Sequence, residues 1–109
     1  MYSIYVFLKN GSNIELFLGS ATSLSFIYQP AKLLELNLIY EFNEERDLNS
    51  VDDFFEFIEQ IRQIVDFWKE ENNYINHNRP DSDFINRLLC FHNGIKNLSL
   101  YEISSISIF

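Results

Sequence analysis

Residues 51–69, VDDFFEFIEQIRQIVDFWK, carry the pattern that most constrains the fold. Their large apolar side chains recur at intervals of three or four, which is typical of a helix that packs on one side. Ser50 precedes the run and Asp53 follows three residues later, which approximates a capping box with Asp in place of Glu. We therefore predict a helix of 19 residues that buries Phe54, Phe57, Ile58, Ile61, Ile64, Val65 and Trp68.

The opposite face of this helix is acidic. At 100° per residue, five carboxylates fall within an arc of about 80° that lies across from the apolar face. This acidic stripe consists of Asp52, Glu56, Glu59, Asp66 and Glu70, with Gln63 among them. Arg62 and Lys69 fall outside the arc, so no basic residue separates the carboxylates within it. Like charges one turn apart cost about 0.2–0.5 kcal/mol per pair. The stripe is either an ordinary solvated helix back or a surface that binds a partner.

Phe67 falls beside the stripe and away from the predicted core. An aromatic side chain flanked by exposed acids is typical of an interface anchor. Contact with a neighbouring loop or with a second helix would explain the same position equally well. Both interpretations stay open at the level of sequence.

The whole net charge of −8 lies in residues 41–71, which hold eleven acidic and three basic residues. Phosphate binding requires a basic footprint, so this segment disfavours direct nucleic-acid binding, and the same argument disfavours an anionic membrane surface. Opposite fields steer association, so the segment favours a basic protein partner. Glu44, Glu45 and Asp47, in the connector before the helix, are secondary candidates for partner binding.

A β-hairpin is predicted at the start of the chain. Two runs rich in β-branched and aromatic residues, 2–8 and 13–18, flank Asn10-Gly11, a pair that favours a two-residue type I′ turn. A two-residue loop pairs Phe7 with Ile14 and Tyr5 with Leu16. The expected core face consists of Tyr5, Phe7, Ile14, Leu16 and Leu18.

Two further strands are predicted before the long helix. Residues 24–28, LSFIY, read as a strand that ends at Gln29-Pro30. Residues 33–40, LLELNLIY, alternate between apolar and polar side chains, which indicates a half-buried antiparallel strand.

A polar loop at 71–80 and a second helix over 83–92 follow the long helix. Asp81 or Ser82 is expected to cap the second helix, and Asn93-Gly94 to end it. Its inward side chains are expected to be Phe84, Ile85, Leu88 and Leu89. The tail reads as one bent strand or two. The order β-β-β-β-α-α-β predicts a single α+β domain over residues 1–109, with an antiparallel sheet and two helices packed on one face.

The composition fits a folded cytoplasmic protein. Hydrophobic residues make up 47% of the 109, and no apolar run reaches the roughly 18 residues that a membrane span needs. The start of the chain lacks the basic region of a signal peptide. Cys90 is the only cysteine, so no internal disulfide forms. A homo-oligomer is not indicated.

No pattern in the sequence predicts catalysis, a cofactor or a metal. Cys90 and His92 stand two apart at the end of the second helix, where side chains point in different directions. Cys90 is therefore expected to be a buried structural residue. Together with His77 these residues lack the paired spacing of a zinc site. We predict that the protein is not an enzyme.

The size, the single domain, the acidic segment 41–71 and the exposed stripe from Asp52 to Glu70 resemble the small acidic bacterial immunity proteins of contact-dependent inhibition and colicin-like systems. No motif carries this resemblance. It implies an inhibitor that neutralises a basic partner, and the first candidate for this partner is a nuclease toxin. The active site of a nuclease is positively charged, so an acidic surface can occupy it. The alternatives are a phage anti-defence protein whose stripe mimics nucleic-acid phosphates, and a structural or assembly subunit that pairs through a strand edge.

Overall fold

The computed structural model describes residues 1–70 and 79–109. Its elements are β1 (Tyr2–Leu8), β2 (Asn13–Gly19), α1 (Ala21–Leu33), α2 (Asn37–Glu41), α3 (Val51–Lys69), α4 (Ser82–Ile95), a 3-10 turn (Leu100–Glu102) and β3 (Ile103–Ile108). The α+β class and the antiparallel sheet are confirmed. The predicted five strands and two helices are wrong, because the described residues form three strands and four helices. Residues 71–78, which cover most of the predicted polar loop and include His77, lie outside the described residues.

The sheet has the order β2-β1-β3, and both pairings are antiparallel. The hairpin between β1 and β2 is confirmed, but its predicted register is wrong by one residue. Ile4 pairs with Leu16 and Val6 pairs with Ile14. Because side chains alternate between the faces of a strand, this slip turns Ile4 and Val6 into the core and leaves Tyr5 and Phe7 on the outer face.

The register follows from a hairpin loop of three residues rather than two. The Leu8 N–H donates to the Ser12 carbonyl at 2.9 Å, which leaves residues 9–11 as the loop. Gly11 adopts a φ of 91°, the left-handed conformation that ends a three-residue loop of this kind. The Asn10 side chain accepts from the Ser12 N–H at 2.9 Å, and this bond holds the turn.

Residues 24–28 belong to helix α1, so the strand predicted there is wrong. Ser20 caps the helix by accepting a hydrogen bond from the Ser23 N–H. Pro30, which was expected to end a strand, lies inside α1. A proline in a helix cannot donate to the carbonyl four residues earlier, here that of Phe26. The Trp68 indole N–H donates to this carbonyl at 2.8 Å, so α3 supplies a donor where α1 lacks one.

The strand predicted over 33–40 is also wrong. Helix α1 ends at Leu33, Glu35 takes a φ of 57°, and α2 begins at Asn37. Leu36, Leu38, Ile39 and Phe42 are buried, whereas Leu34 and Tyr40, which the alternation places on one face with Leu36 and Leu38, are exposed. The buried side chains of this segment lie on and next to the short helix α2. The alternation of apolar and polar residues therefore does not indicate a strand here.

Helix α3 spans the 19 residues predicted for it, and the Ser50 hydroxyl accepts from the Asp53 N–H at 3.1 Å. Its predicted core face is confirmed except at Ile58, which is only partly buried. Gln60 is buried in addition, although no apolar pattern indicated it.

Helix α4 begins where it was predicted, with the Asp81 carboxylate accepting from the Phe84 N–H at 2.9 Å. Its predicted end at Asn93-Gly94 is wrong, because the helix continues to Ile95. A Cβ on Gly94 would stand 3.5 Å from the Ile14 side chain, so the glycine is where α4 comes close to β2. Phe91 and Ile95 are buried with Phe84 and Leu88, whereas Ile85 and Leu89 are only partly buried.

The predicted β-prone tail contains one strand, β3, preceded by the 3-10 turn. The connector between α2 and α3 is fixed to the outer edge of β3, where Leu48 and Ile106 exchange backbone hydrogen bonds of 2.9 and 3.0 Å. Leu48 is fully buried. One hydrophobic core joins the inner face of the sheet to the helices, which leaves the outward face of α3 available.

Candidate functional site

The acidic stripe lies on the outward face of α3. Asp52, Glu56, Asp66 and Glu70 are exposed, and Glu59 and Gln63 are partly exposed. The N-terminal acids also suit the positive end of the helix dipole. The stripe therefore presents carboxylates along nearly the full length of the helix, which at 1.5 Å per residue is about 29 Å.

Arg62 lies in the middle of this stripe, which the helical projection did not indicate. Its guanidinium is 3.2 Å from the Glu59 carboxylate and 2.9 Å from that of Asp66. The long arginine side chain reaches both neighbours from a backbone position outside the arc. These exposed pairs contribute little stability, about 0–1 kcal/mol each, but they divide the stripe into two acidic ends.

A cleft of about 350 Å³ lies at the C-terminal end of the stripe, and we call it the acidic cleft. It is lined by Leu34, Gln63, Asp66, Phe67 and Glu70. Four of these five residues are ones that the sequence singled out for partner binding. Leu34 comes from the end of α1 and was missed, because it was placed on the buried side of a strand.

Phe67 is partly buried rather than projecting into solvent. Its ring packs edge-on against the Trp68 ring, with centroids 4.9 Å apart and planes at 79°. It also packs against the hydrophobic core. The ring is therefore fixed in place as one wall of the acidic cleft, with carboxylates on both sides of it in the sequence.

Gln60 connects the stripe to the core. Its side-chain oxygen accepts from the Ile39 N–H at 2.9 Å, and its side-chain nitrogen donates to the Glu56 carboxylate at 3.1 Å. Helix α2 lacks a side-chain cap at Leu36, so its first N–H groups need other acceptors. Gln60 supplies one of them and at the same time orients Glu56 toward the outside.

Glu44, Glu45 and Asp47 are all exposed in the connector that leads into α3. The Asn43 side chain orders this segment by accepting from the Glu45 N–H at 2.8 Å. The connector enters α3 at its first turn, whereas the acidic cleft lies at its last two turns. The predicted connector residues and the predicted residues of the acidic cleft therefore lie at opposite ends of α3.

Glu44 also lines a larger pocket of about 500 Å³, which we call the tyrosine pocket. Its other lining residues are Tyr2, Leu24, Tyr28, Tyr40, Phe42, Asn43 and Ile108. The Tyr28 hydroxyl donates to the Phe42 carbonyl. Burial, followed by the nearby charge of Glu44, raises the pKa of Tyr28 to about 12, so the phenol stays neutral at ordinary pH. Sequence reasoning missed this pocket, because its tyrosines come from β1, α1 and α2.

Cys90 is exposed, so the expectation that it is a buried structural residue is wrong. It lies on α4 next to the buried Phe91 and lines a surface groove with Ile14 and Phe17 of β2. Burial, followed by the charge of Lys96, lowers the pKa of His92 below its ordinary value.

Among residues 1–70 and 79–109, no three histidine, cysteine, aspartate or glutamate side chains are grouped to hold a metal ion. No helix in the same ranges is long and apolar enough to cross a membrane. Comparison with protein-family models, with curated proteins and with solved structures gives no significant match.

Proposed function

We propose that this protein is an inhibitor that binds a basic protein partner through the acidic face of α3, and that the partner is a nuclease toxin domain. The acidic cleft is the observation that carries the proposal. It places an apolar wall, Leu34 and Phe67, beside the carboxylates of Asp66 and Glu70. A lysine or arginine side chain has this same division, with an apolar stem and a charged head.

The charge distribution supports the same partner. The segment that holds the whole net charge of −8 also holds the stripe, the connector and four of the five residues that line the cleft. A nuclease surface is positively charged where it holds phosphate, so it is complementary to this face. Electrostatic complementarity of this kind raises association rates and selects partners more than it raises affinity.

A test begins with capture from a lysate of the source cells. The wild-type protein is compared with a cleft variant, Asp66→Lys/Glu70→Lys. Lysines in the last turn of a helix suit its dipole, so this variant is expected to stay folded. A control variant, Glu15→Lys/Glu102→Lys, has the same net charge but changes two exposed acids outside α3.

A protein that the wild type and the control retain, and the cleft variant does not, is the expected partner. Its purified form should degrade nucleic acid, and one equivalent of wild-type protein should stop this activity. A partner without nuclease activity would leave the binding site in place but refute the nuclease assignment. Equal capture by all three proteins would refute the acidic cleft as the binding site.

An assembly role is the second candidate, and the outer face of the sheet favours it. Tyr5, Phe7 and Phe109 form a cluster of three stacked rings whose centroids lie 4.9–6.4 Å apart, and Phe109 is 58% exposed. Aromatic clusters that reach the surface in this way occur at protein interfaces. Sedimentation of the wild type and a Phe109→Ser variant over a range of concentrations tests whether copies of the chain associate through this face.

A further inference from the structure

The tyrosine pocket has the chemistry of a site for an organic cation. Three tyrosines and Phe42 line it, together with one carboxylate, that of Glu44. Cations are attracted to the faces of aromatic rings, and a nearby carboxylate adds a direct charge interaction. Its volume of about 500 Å³ falls within the usual range of ligand sites, about 300–1,000 Å³.

Two polar groups of the pocket, Tyr28 and Glu44, suit an occupant that donates hydrogen bonds. The Tyr28 hydroxyl proton is already donated to the Phe42 carbonyl, so toward an occupant this hydroxyl can act only as an acceptor. A carboxylate, such as the Glu44 side chain provides, only accepts hydrogen bonds. A guanidinium, which carries five N–H donors and no acceptor, suits this lining better than an anion or a neutral amide.

The apolar part of the lining suits the stem of the same side chain. Leu24 and Ile108 lie in the pocket with the rings, and they offer no hydrogen-bonding side chain. The three methylene groups of an arginine can lie along such a surface while its head stays near a carboxylate. Tyr40 is 48% exposed, so a side chain can reach the pocket from solvent.

We propose that the tyrosine pocket binds an arginine side chain presented by the basic partner, as a second contact separate from the acidic cleft. The proposal rests on the proposed function only for the source of the cation. Charge complementarity favours this occupant, because Glu44 belongs to the connector whose Glu45 and Asp47 are also exposed. The connector is held against β3 through Leu48, so the rim of the pocket is fixed before a partner binds.

The test uses a small probe, N-acetyl-arginine methylamide, titrated into the isotopically labelled protein and followed by backbone amide shifts in NMR. Saturable shifts are expected at Tyr40, Asn43 and Glu44. The citrulline analogue has the same shape without the charge, and it should bind at least about fivefold more weakly. Equal binding of the two probes would overturn the assignment of a cation site.

Two variants locate the site. Tyr40→Leu and Glu44→Gln should each weaken the arginine probe by about threefold or more, since each removes one attractive group. Tyr101→Leu is the matched control, because Tyr101 is a 73% exposed tyrosine outside the pocket. Far-UV circular dichroism shows whether each variant stays folded.

The outcome separates this proposal from the proposed function. Probe shifts confined to Gln63, Asp66 and Glu70, or unchanged binding in both pocket variants, would overturn the tyrosine pocket and leave the acidic cleft standing. Shifts in the pocket combined with equal capture of the partner by the cleft variant would support the pocket and refute the cleft.

Discussion

Trp68 is predicted to stabilise the fold partly through a hydrogen bond that α1 cannot make for itself. Pro30 has no N–H, so the Phe26 carbonyl lacks its usual partner four residues on, and the Trp68 indole N–H donates to it at 2.8 Å. A Trp68→Phe substitution keeps one aromatic ring but removes this donor. Trp68 is only 1% exposed, so the lost volume becomes a cavity.

The expected cost of Trp68→Phe is about 2–3 kcal/mol in the free energy of unfolding. Of this, about 1 kcal/mol comes from the buried carbonyl that loses its donor. The remainder comes from the cavity next to Phe26 and Phe67, whose rings pack edge-on against Trp68. This is a large part of the 5–15 kcal/mol typical of a domain.

A double-mutant cycle isolates the hydrogen bond. Pro30→Ala restores an N–H that can donate to the Phe26 carbonyl, so Trp68→Phe should cost about 1 kcal/mol less in that background. Urea unfolding followed by far-UV circular dichroism is the assay, because the variant lacks the only tryptophan. Lys32→Ala, on the exposed side of α1, is the control background and should leave the cost unchanged. Additivity with Pro30→Ala within about 0.3 kcal/mol would refute the reasoning.

Gln60→Leu should lower the free energy of unfolding by about 1–2 kcal/mol, because it leaves the buried Ile39 N–H without an acceptor. Gln63→Leu makes the same change on the outer side of α3 and should stay within about 0.5 kcal/mol of the wild type in urea unfolding. The lowered pKa of His92 means that the folded state binds a proton less strongly than the unfolded state. The contribution of His92 to the free energy of unfolding is fully present above pH 6.5, the ordinary pKa of histidine. This contribution is lost as the pH falls toward the lower pKa that His92 has in the folded state. His92→Gln should therefore reduce the fall in urea midpoint between pH 7.5 and 5, and an unchanged fall would contradict this.

The long helices were predictable because several signals agreed along them. In α3, the apolar spacing continued over 19 residues, and Ser50 marked its start with a side chain suited to capping. In α4, Asp81 gave the same kind of signal. Gly94 misled the prediction of its end, since this glycine lies inside the helix and does not form a left-handed turn.

The region between β2 and α3 was mispredicted because its segments are short and rich in aromatic and branched residues. Over five to eight residues, such a run does not distinguish a strand from a buried helical turn. Pro30 predicts the end of an element, whereas α1 continues through it, and the Trp68 indole N–H bonds the carbonyl that the proline leaves without a donor. That compensation comes from a residue 38 positions later, so no local pattern shows it.

Part of the candidate site was predictable because the helical pattern of α3 is clear in the sequence. Helical periodicity placed the acidic stripe on the outward face of α3, and the structure agrees with this placement. The reach of Arg62 across the stripe and the approach of Leu34 to Phe67 depend on side-chain length and on the packing of α1. The tyrosine pocket depends on three elements that the sequence assigned partly to strands, so its residues could not be brought together in advance.

The association rate constant of the captured partner, measured by stopped-flow mixing over a range of ionic strength, tests the central claim most directly. At low salt, Asp66→Lys/Glu70→Lys should slow association at least about tenfold, because steering by the acidic face is reversed there. The control Glu15→Lys/Glu102→Lys, with the same net charge, should slow it far less. Equal rates for the two variants at every ionic strength would contradict the claim that the acidic face of α3 is the binding surface.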